Sequence, residues 1–295
     1  MGDVLYIGVR FALYADLMLL FGLPLFAIYT PEEPENVPDH RWVLGCLAVL
    51  GLALSALSIA AMTASMAGVS LLEVDRASIV MMVSDTPMGR AWAVRIVALA
   101  GLAISFVVKT PSAPVAVLGA VALCSLAWTG HGSAGEGNAG IIQLVGDLAH
   151  LLAAGAWLGA LVGLGHMVWA AHDAGATHRA LARFASVGTL IVTVILGSGL
   201  VNGFYLVGWS NLGNLPRSFY GQLLLLKIAL FCGMLVLAAL NRFRLTPALR
   251  SAIEPDRTIL ARRALRLSLI LELSLAAAIV GLVAWLGTLE PPMSM

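Results

Sequence analysis

Apolar residues run along this chain in long blocks rather than alternating with polar ones, and short stretches rich in proline, glycine and charge separate the blocks. A helix crosses the hydrocarbon of a bilayer in roughly 20 residues. Eight blocks meet that need, at about 4–29, 43–69, 90–108, 115–130, 140–171, 184–208, 220–241 and 263–288. The breaks carry turn chemistry: Pro31, Pro34 and Pro38, then Pro87, Pro111 and Pro114, the run Gly130-His131-Gly132-Ser133-Ala134-Gly135, Pro216, and Pro247 with Pro255. The pattern predicts an all-α fold, a polytopic bundle of eight transmembrane helices in a single membrane domain over residues 1–295. The first block lacks a basic leader and is too long for a cleavable signal, so it reads as a span.

Composition sharpens this. Of 295 residues, 60% are hydrophobic and 11% charged, whereas soluble domains carry about 25% charge. A mean hydropathy of +0.94 agrees. A soluble enzyme is excluded, and a formal net charge of +1 offers no basic surface for nucleic acid. There is neither a P-loop nor a phosphorylated-aspartate signature, so no nucleotide is expected; the surrounding partner is membrane lipid. Cys46, Cys124 and Cys232 are far apart in apolar runs and read as small buried hydrophobes, not as a metal or disulfide set.

Basic residues mark the cytoplasmic side of a membrane protein. Arg41, Lys109, Arg179, Arg183, Arg242, Arg244, Arg250, Arg257, Arg262 and Arg263 fall in connections on one side; Arg76, Arg90 and Arg217 fall on the other. That bias places both termini outside. A weak internal echo accompanies it. Asp16-Leu17 recurs as Asp147-Leu148 after 131 residues, and Gly89 with Arg95 recurs as Gly221 with Lys227 after 132. Four spans separate the matched helices, which therefore run in the same direction. The spacing suggests two four-helix halves, 1–130 and 131–295, arranged as a parallel repeat with a site at their junction.

An ionised side chain at bilayer depth costs at least roughly 2.5–3.5 kcal/mol, so it needs a partner, water or a purpose. Arg10 and Asp16 lie in the first span, Arg95 in the third, Asp147 and His150 in the fifth, Lys227 in the seventh and Glu272 in the eighth. At a rise of about 1.5 Å per residue, Arg10, Arg95, Asp147 and Lys227 reach a common level below the outer ends of their helices, joined by Asn202 from the sixth. Asp16 and Glu272 fall nearer the midplane. The set predicts an outward-facing polar vestibule with Asp16, Arg95, Asn202, Lys227 and Glu272 along a transport pathway. Asp147 and His150, three apart, share a helix face, where the carboxylate could orient the imidazole or both could hold a cation.

Soft donors crowd the same side. Met62 and Met66 share a face at the outer end of the second span, and Met81, Met82 and Met88 follow in the next connection; with Met1, Met293 and Met295, eight of eleven methionines lie outside. Thioethers suit copper better than hard ions. His131, in a glycine-rich external connection, is a candidate first ligand. The predicted metal set is His131, Asp147, His150, Met62, Met66, Met81, Met82 and Met88.

From about 128 to 250 the chain carries Trp128-Thr129-Gly130-His131-Gly132, Asp147-Leu148-Ala149-His150, Ala156-Trp157-Leu158-Gly159-Ala160-Leu161, Arg183-Phe184-Ala185-Ser186, Gly197-Ser198-Gly199, Tyr220-Gly221-Gln222-Leu223-Leu224-Leu225-Leu226-Lys227 and Asn241-Arg242-Phe243-Arg244-Leu245-Thr246-Pro247. In that order these resemble the copper resistance protein D family of bacterial inner-membrane proteins. The resemblance implies a copper ion as cargo, carried from the periplasm toward the cytoplasm without an enzymatic reaction, and a periplasmic copper-binding protein as donor. Two other functions stand beside transport: a membrane redox protein bearing haem or copper, and a copper-delivery factor that assembles a membrane cuproenzyme. Haem is poorly served, because His150 and His166 sit on one helix and cannot face each other as axial ligands.

Overall fold

The computed structural model describes residues 2–30, 41–129, 137–169, 174–247 and 255–290. Among the described residues nine α-helices follow one another: α1 Gly2–Tyr29, α2 Arg41–Ala67, α3 Arg76–Asp85, α4 Pro87–Val107, α5 Ser112–Cys124, α6 Gly137–Trp169, α7 Ala174–Val207, α8 Phe219–Leu240 and α9 Pro255–Leu286. All but α3 belong to stretches long and apolar enough to cross a membrane, which gives the eight expected spans. The short α3, not anticipated from hydropathy, connects α2 to α4. Asp75 caps its N-terminus by accepting from the Ser78 N–H at 2.8 Å, and that bond holds the Asp75 carboxyl below its ordinary range. Irregular turns extend two spans and link two: a 3-10 turn Ser125–Thr129 continues α5, a π turn Asn241–Leu245 continues α8, and a 3-10 segment Trp209–Arg217 joins α7 to α8.

Lipid provides no hydrophobic force between helices, so packing depends on close backbone approach through small residues. Gly155, Gly159 and Gly163 form a stripe at four-residue spacing on α6. A methyl group on Gly159 would fall on the backbone of Gly22 in α1; the spaces beside Gly155 and Gly163 hold Leu123 with Phe21, and Phe26. This makes α1 and α6 the central pair. Around α1 stand α2, α5 and α9, and around α6 stand α7 and α9. The continuous core includes Leu17, Leu20, Leu99, Leu123, Leu161, Leu164 and Leu269.

Both chain ends lie on one face. The Arg10 guanidinium occupies the space where a side chain on Gly287 would be, so the start of α1 adjoins the end of α9. We call this the terminal face, and the opposite one, bearing Arg41, Arg242 and Arg266, the arginine-rich face. There Arg266 donates through Nε and Nη2 to the Val168 carbonyl, at 3.3 and 3.1 Å, in the last turn of α6, a favourable place for a cation. The cysteines differ from expectation: Cys46 and Cys232 are exposed on the sides of the bundle and only Cys124 is partly covered. In a membrane their outward position meets apolar surroundings too.

Candidate functional site

The ionisable groups divide between the halves of the bundle. In the second half, α6 supplies Asp147 and His150, α7 supplies Ser198 and Asn202, and α8 supplies Lys227. His150 Nδ1 lies 3.0 Å from Ser198 Oγ. The serine hydroxyl is 2.5 Å from the Val194 carbonyl, one turn back, and its single proton is committed there. Ser198 therefore accepts, and the imidazole donates from Nδ1; the ring also bonds the backbone of Ile195. With Nδ1 as the donor, Nε2 would carry the lone pair through which histidine binds a metal.

Asp147 takes a hydrogen bond from the Asn202 amide, so Asn202 rather than His150 is its partner. The Asn202 carbonyl oxygen is buried without a partner. Close approach of α7 depends on Gly146: a methyl there would meet Asn202 Oδ1 and Val201 Cγ1 at 3.0 Å. Lys227 acts electrostatically on both Asp147 and His150, and Tyr220 lies within reach of Asp147. Asp147, His150, Asn202 and Lys227 are all half-buried.

Among the described residues α7 and α8 make little close contact along their length. Instead α7 meets the 3-10 segment that precedes α8 and the π turn that follows it. At the arginine-rich end Arg242 Nη1 donates to Thr189 Oγ1 at 2.6 Å. Between them lies a cavity of about 280 Å³, walled by apolar residues such as Trp157, Phe184 and Leu235, with Thr189 and Thr193 from α7 and Asn241, Arg242 and Glu272 toward the arginine-rich face. Glu272 thus falls in this half, bonded by Asn241 and 3.5 Å from Ser268 Oγ.

In the first half Arg10, Asp16 and Arg95 are fully enclosed, at 4, 3 and 1% exposure. Arg10 reaches Tyr6 Oη at 3.2 Å and the Thr129 carbonyl at 3.4 Å, and lies over the rings of Tyr6 and Tyr14. Arg95 acts on the same two tyrosines, and its Nε and Nη1 have no hydrogen-bond partner among the described residues. Asp16 points elsewhere, against Gly51 of α2, with both oxygens unpartnered. One predicted layer of charge is therefore two separate groups, and Arg95 does not share the Asp147 site.

The methionines also separate. Met62 and Met88 pack with Tyr6 and Leu71 on the terminal face. Met82 is buried, its sulfur 3.8 Å from Thr86 Oγ1, while Met66 and Met81 are exposed. His131 lies outside the described residues. Among those described, no three of His, Cys, Asp and Glu gather as a metal cage. The roles of Ser198, Tyr220 and Asn241 escaped the sequence reading. Ser198 lies within the quoted Gly197-Ser198-Gly199 and Asn241 opens another quoted motif, but nothing in their spacing gives their partners.

Comparison with known proteins agrees with this architecture. The family model described as Copper resistance protein D-like, N-terminal domain matches residues 1–141, and that described as Copper resistance protein D matches 178–286. The chain is 42% identical over 309 aligned residues to Copper resistance protein D of Pseudomonas syringae pv. tomato, covering 99% of both. It is 28% identical to Inner membrane protein YebZ of Escherichia coli (strain K12), over 97% of this chain and 98% of that protein. Copper transport protein CutJ of Bacillus subtilis (strain 168) is 33% identical over 50% of this chain and 27% of its own length. No solved structure matches. Eight spans in the arrangement described, two family models that between them cover most of the sequence and a full-length relative lead to one conclusion: this chain belongs to the copper resistance protein D family.

Proposed function

We propose that this protein conducts copper ions across the bacterial inner membrane, from the periplasm toward the cytoplasm, through its second half. One observation carries the reading: His150, paired at Nδ1 with Ser198, and Asp147, bonded by Asn202, both lie within the field of Lys227 and are half-buried in the second half of the bundle. Imidazole suits copper, and a carboxylate lowers the cost of a cation at depth. Two donors with an adjacent ammonium make a weak site, as a cargo that must leave requires. The excess of arginine on one face supports a cytoplasmic assignment for it, which puts the termini, Met62 and Met88 in the periplasm. There the thioethers gather copper from a periplasmic copper-binding donor. The halves are copies, matched at Gly89 and Gly221, each of which follows a capping hydroxyl, Thr86 or Ser218, by three residues. The names of the relatives in Pseudomonas and Bacillus, which refer to copper resistance and copper transport, support the choice of cargo.

Vesicles containing only the purified protein provide the test. Copper uptake is expected from wild type and absent from His150→Ala and Asp147→Ala. Full uptake by both variants would remove the site; no uptake by folded wild type would favour delivery to a cuproenzyme, and a Soret band would favour a haem protein.

A further inference from the structure

Asn241 and Glu272 meet deep in the bundle, at 9 and 1% exposure. The Asn241 amide nitrogen donates to Glu272 Oε1. That leaves Asn241 Oδ1 buried with no hydrogen-bond donor among the described residues. A buried carbonyl oxygen without a donor costs free energy comparable to a lost hydrogen bond, and the side chain that its own amide nitrogen meets is an acid. A protonated carboxyl supplies the missing donor: amide N–H to Oε1 in one direction, carboxyl O–H to Oδ1 in the other. Ionised, the same carboxyl offers only acceptors. A cation would need more oxygens than these two side chains and Ser268 provide.

We propose that Glu272 is an exchangeable-proton site, its proton given to Asn241 Oδ1 when loaded and released through the cavity between α7 and α8 when unloaded. Both residues line that cavity, which runs beside Thr189 and Thr193 to Arg242. The charged groups around Glu272 are few. The cavity that it lines is walled from α6 by Trp157, Leu161 and Leu164 and from α7 by hydroxyls and apolar residues; Arg242 is the other ionisable side chain on that wall. On α1, Arg10 faces Gly287 and Asp16 faces Gly51. On α9 itself the near polar neighbour is Ser268. Oxygen donors alone do not suit soft copper, which separates this proton from the cargo at His150. The site's existence is independent of the transport reading; its role, exchange of a proton for copper, rests on it.

Infrared difference spectra of the full-length protein in lipid, recorded as the pH is stepped, test the site directly. Wild type is expected to show the carbonyl stretch of a protonated carboxylic acid. Glu272→Gln, which keeps the shape and the pairing with Asn241, should lose that component, while Asn241→Leu should shift it by removing the acceptor. An identical set of carboxylic bands in Glu272→Gln and wild type would overturn the proposal, as would an unshifted band in Asn241→Leu, the variant that decides if Glu272→Gln does not fold. In copper-loaded vesicles a pH gradient should change wild-type uptake by about tenfold, an ordinary coupling between two sites, and leave Glu272→Gln unresponsive. An equal response in both would sink the exchange role. Absence of copper uptake in wild type would defeat the transport reading and leave the infrared result to decide the site.

Discussion

The two halves of the bundle treat the same kinds of residue differently. In the first, α2 and α4 close against each other: Phe106 fills the space beside Gly45 and meets Trp42 edge to face with ring centroids 4.7 Å apart, Leu99 fills the space beside Gly51, and Trp92 Nε1 donates to the Ser55 carbonyl at 2.9 Å. In the second, α7 and α8 stand apart. Gly197 and Gly203 of α7 have nothing within 4 Å, and 11% of the most apolar stretch of either helix is buried, against 61% for α6. Asp16 and Arg95 are consequently enclosed, whereas Asp147 and Lys227 are half-open. A buried charge that nothing can reach does not carry cargo; one beside an opening can. Packing of the two outer helices, rather than the identity of the charged residues, separates the closed half from the one proposed to conduct.

The comparison can be broken at several places. The largest effect is expected at the central crossing, where Gly159→Leu must force α6 from Gly22. Overpacking of this kind costs about 3 kcal/mol, the upper end of its usual range. Gly203→Leu, in open space on α7, should stay within about 0.5 kcal/mol of wild type. Denaturant unfolding in detergent measures both, and equal stabilities would remove the α1–α6 contact as the organising one.

Next comes the matched acid pair. Asp147→Asn should reduce copper uptake into vesicles to the background of empty ones, while Asp16→Asn, enclosed against Gly51, should leave it unchanged. Loss of uptake in the Asp16 variant, with its fold intact, would return the closed half to the pathway. A smaller effect follows from orientation. Ser198→Ala frees His150 to turn, and the copper concentration for half-maximal uptake should rise about tenfold, as when the partner that orients a metal-binding histidine is removed. Unaltered affinity would mean that Nδ1 is not what positions the ring. The smallest is Gly188→Trp. Its side chain should fill the cavity between α7 and α8 and slow uptake severalfold without changing half-saturation; an unchanged rate would place the route elsewhere.

By itself the sequence determined the class of the fold and the number of spans. Those follow from composition, from apolar length and from a fixed rise per residue, all local to one helix. The α6 glycine stripe, although its four-residue spacing is a local signal, was recognised only from its packing against α1. The helix α3 was not legible, because it is too short and mixed to register as a block. Nor did spacing reveal that His150 pairs with Ser198, Asp147 with Asn202, or Glu272 with Asn241. A helix gives a side chain its depth and its direction, but neighbours around a bundle are chosen by which helices meet. Tertiary structure alone decided that α2 and α4 close and α7 and α8 separate, because that outcome depends on how glycines and large side chains from distant parts of the chain fit across each interface.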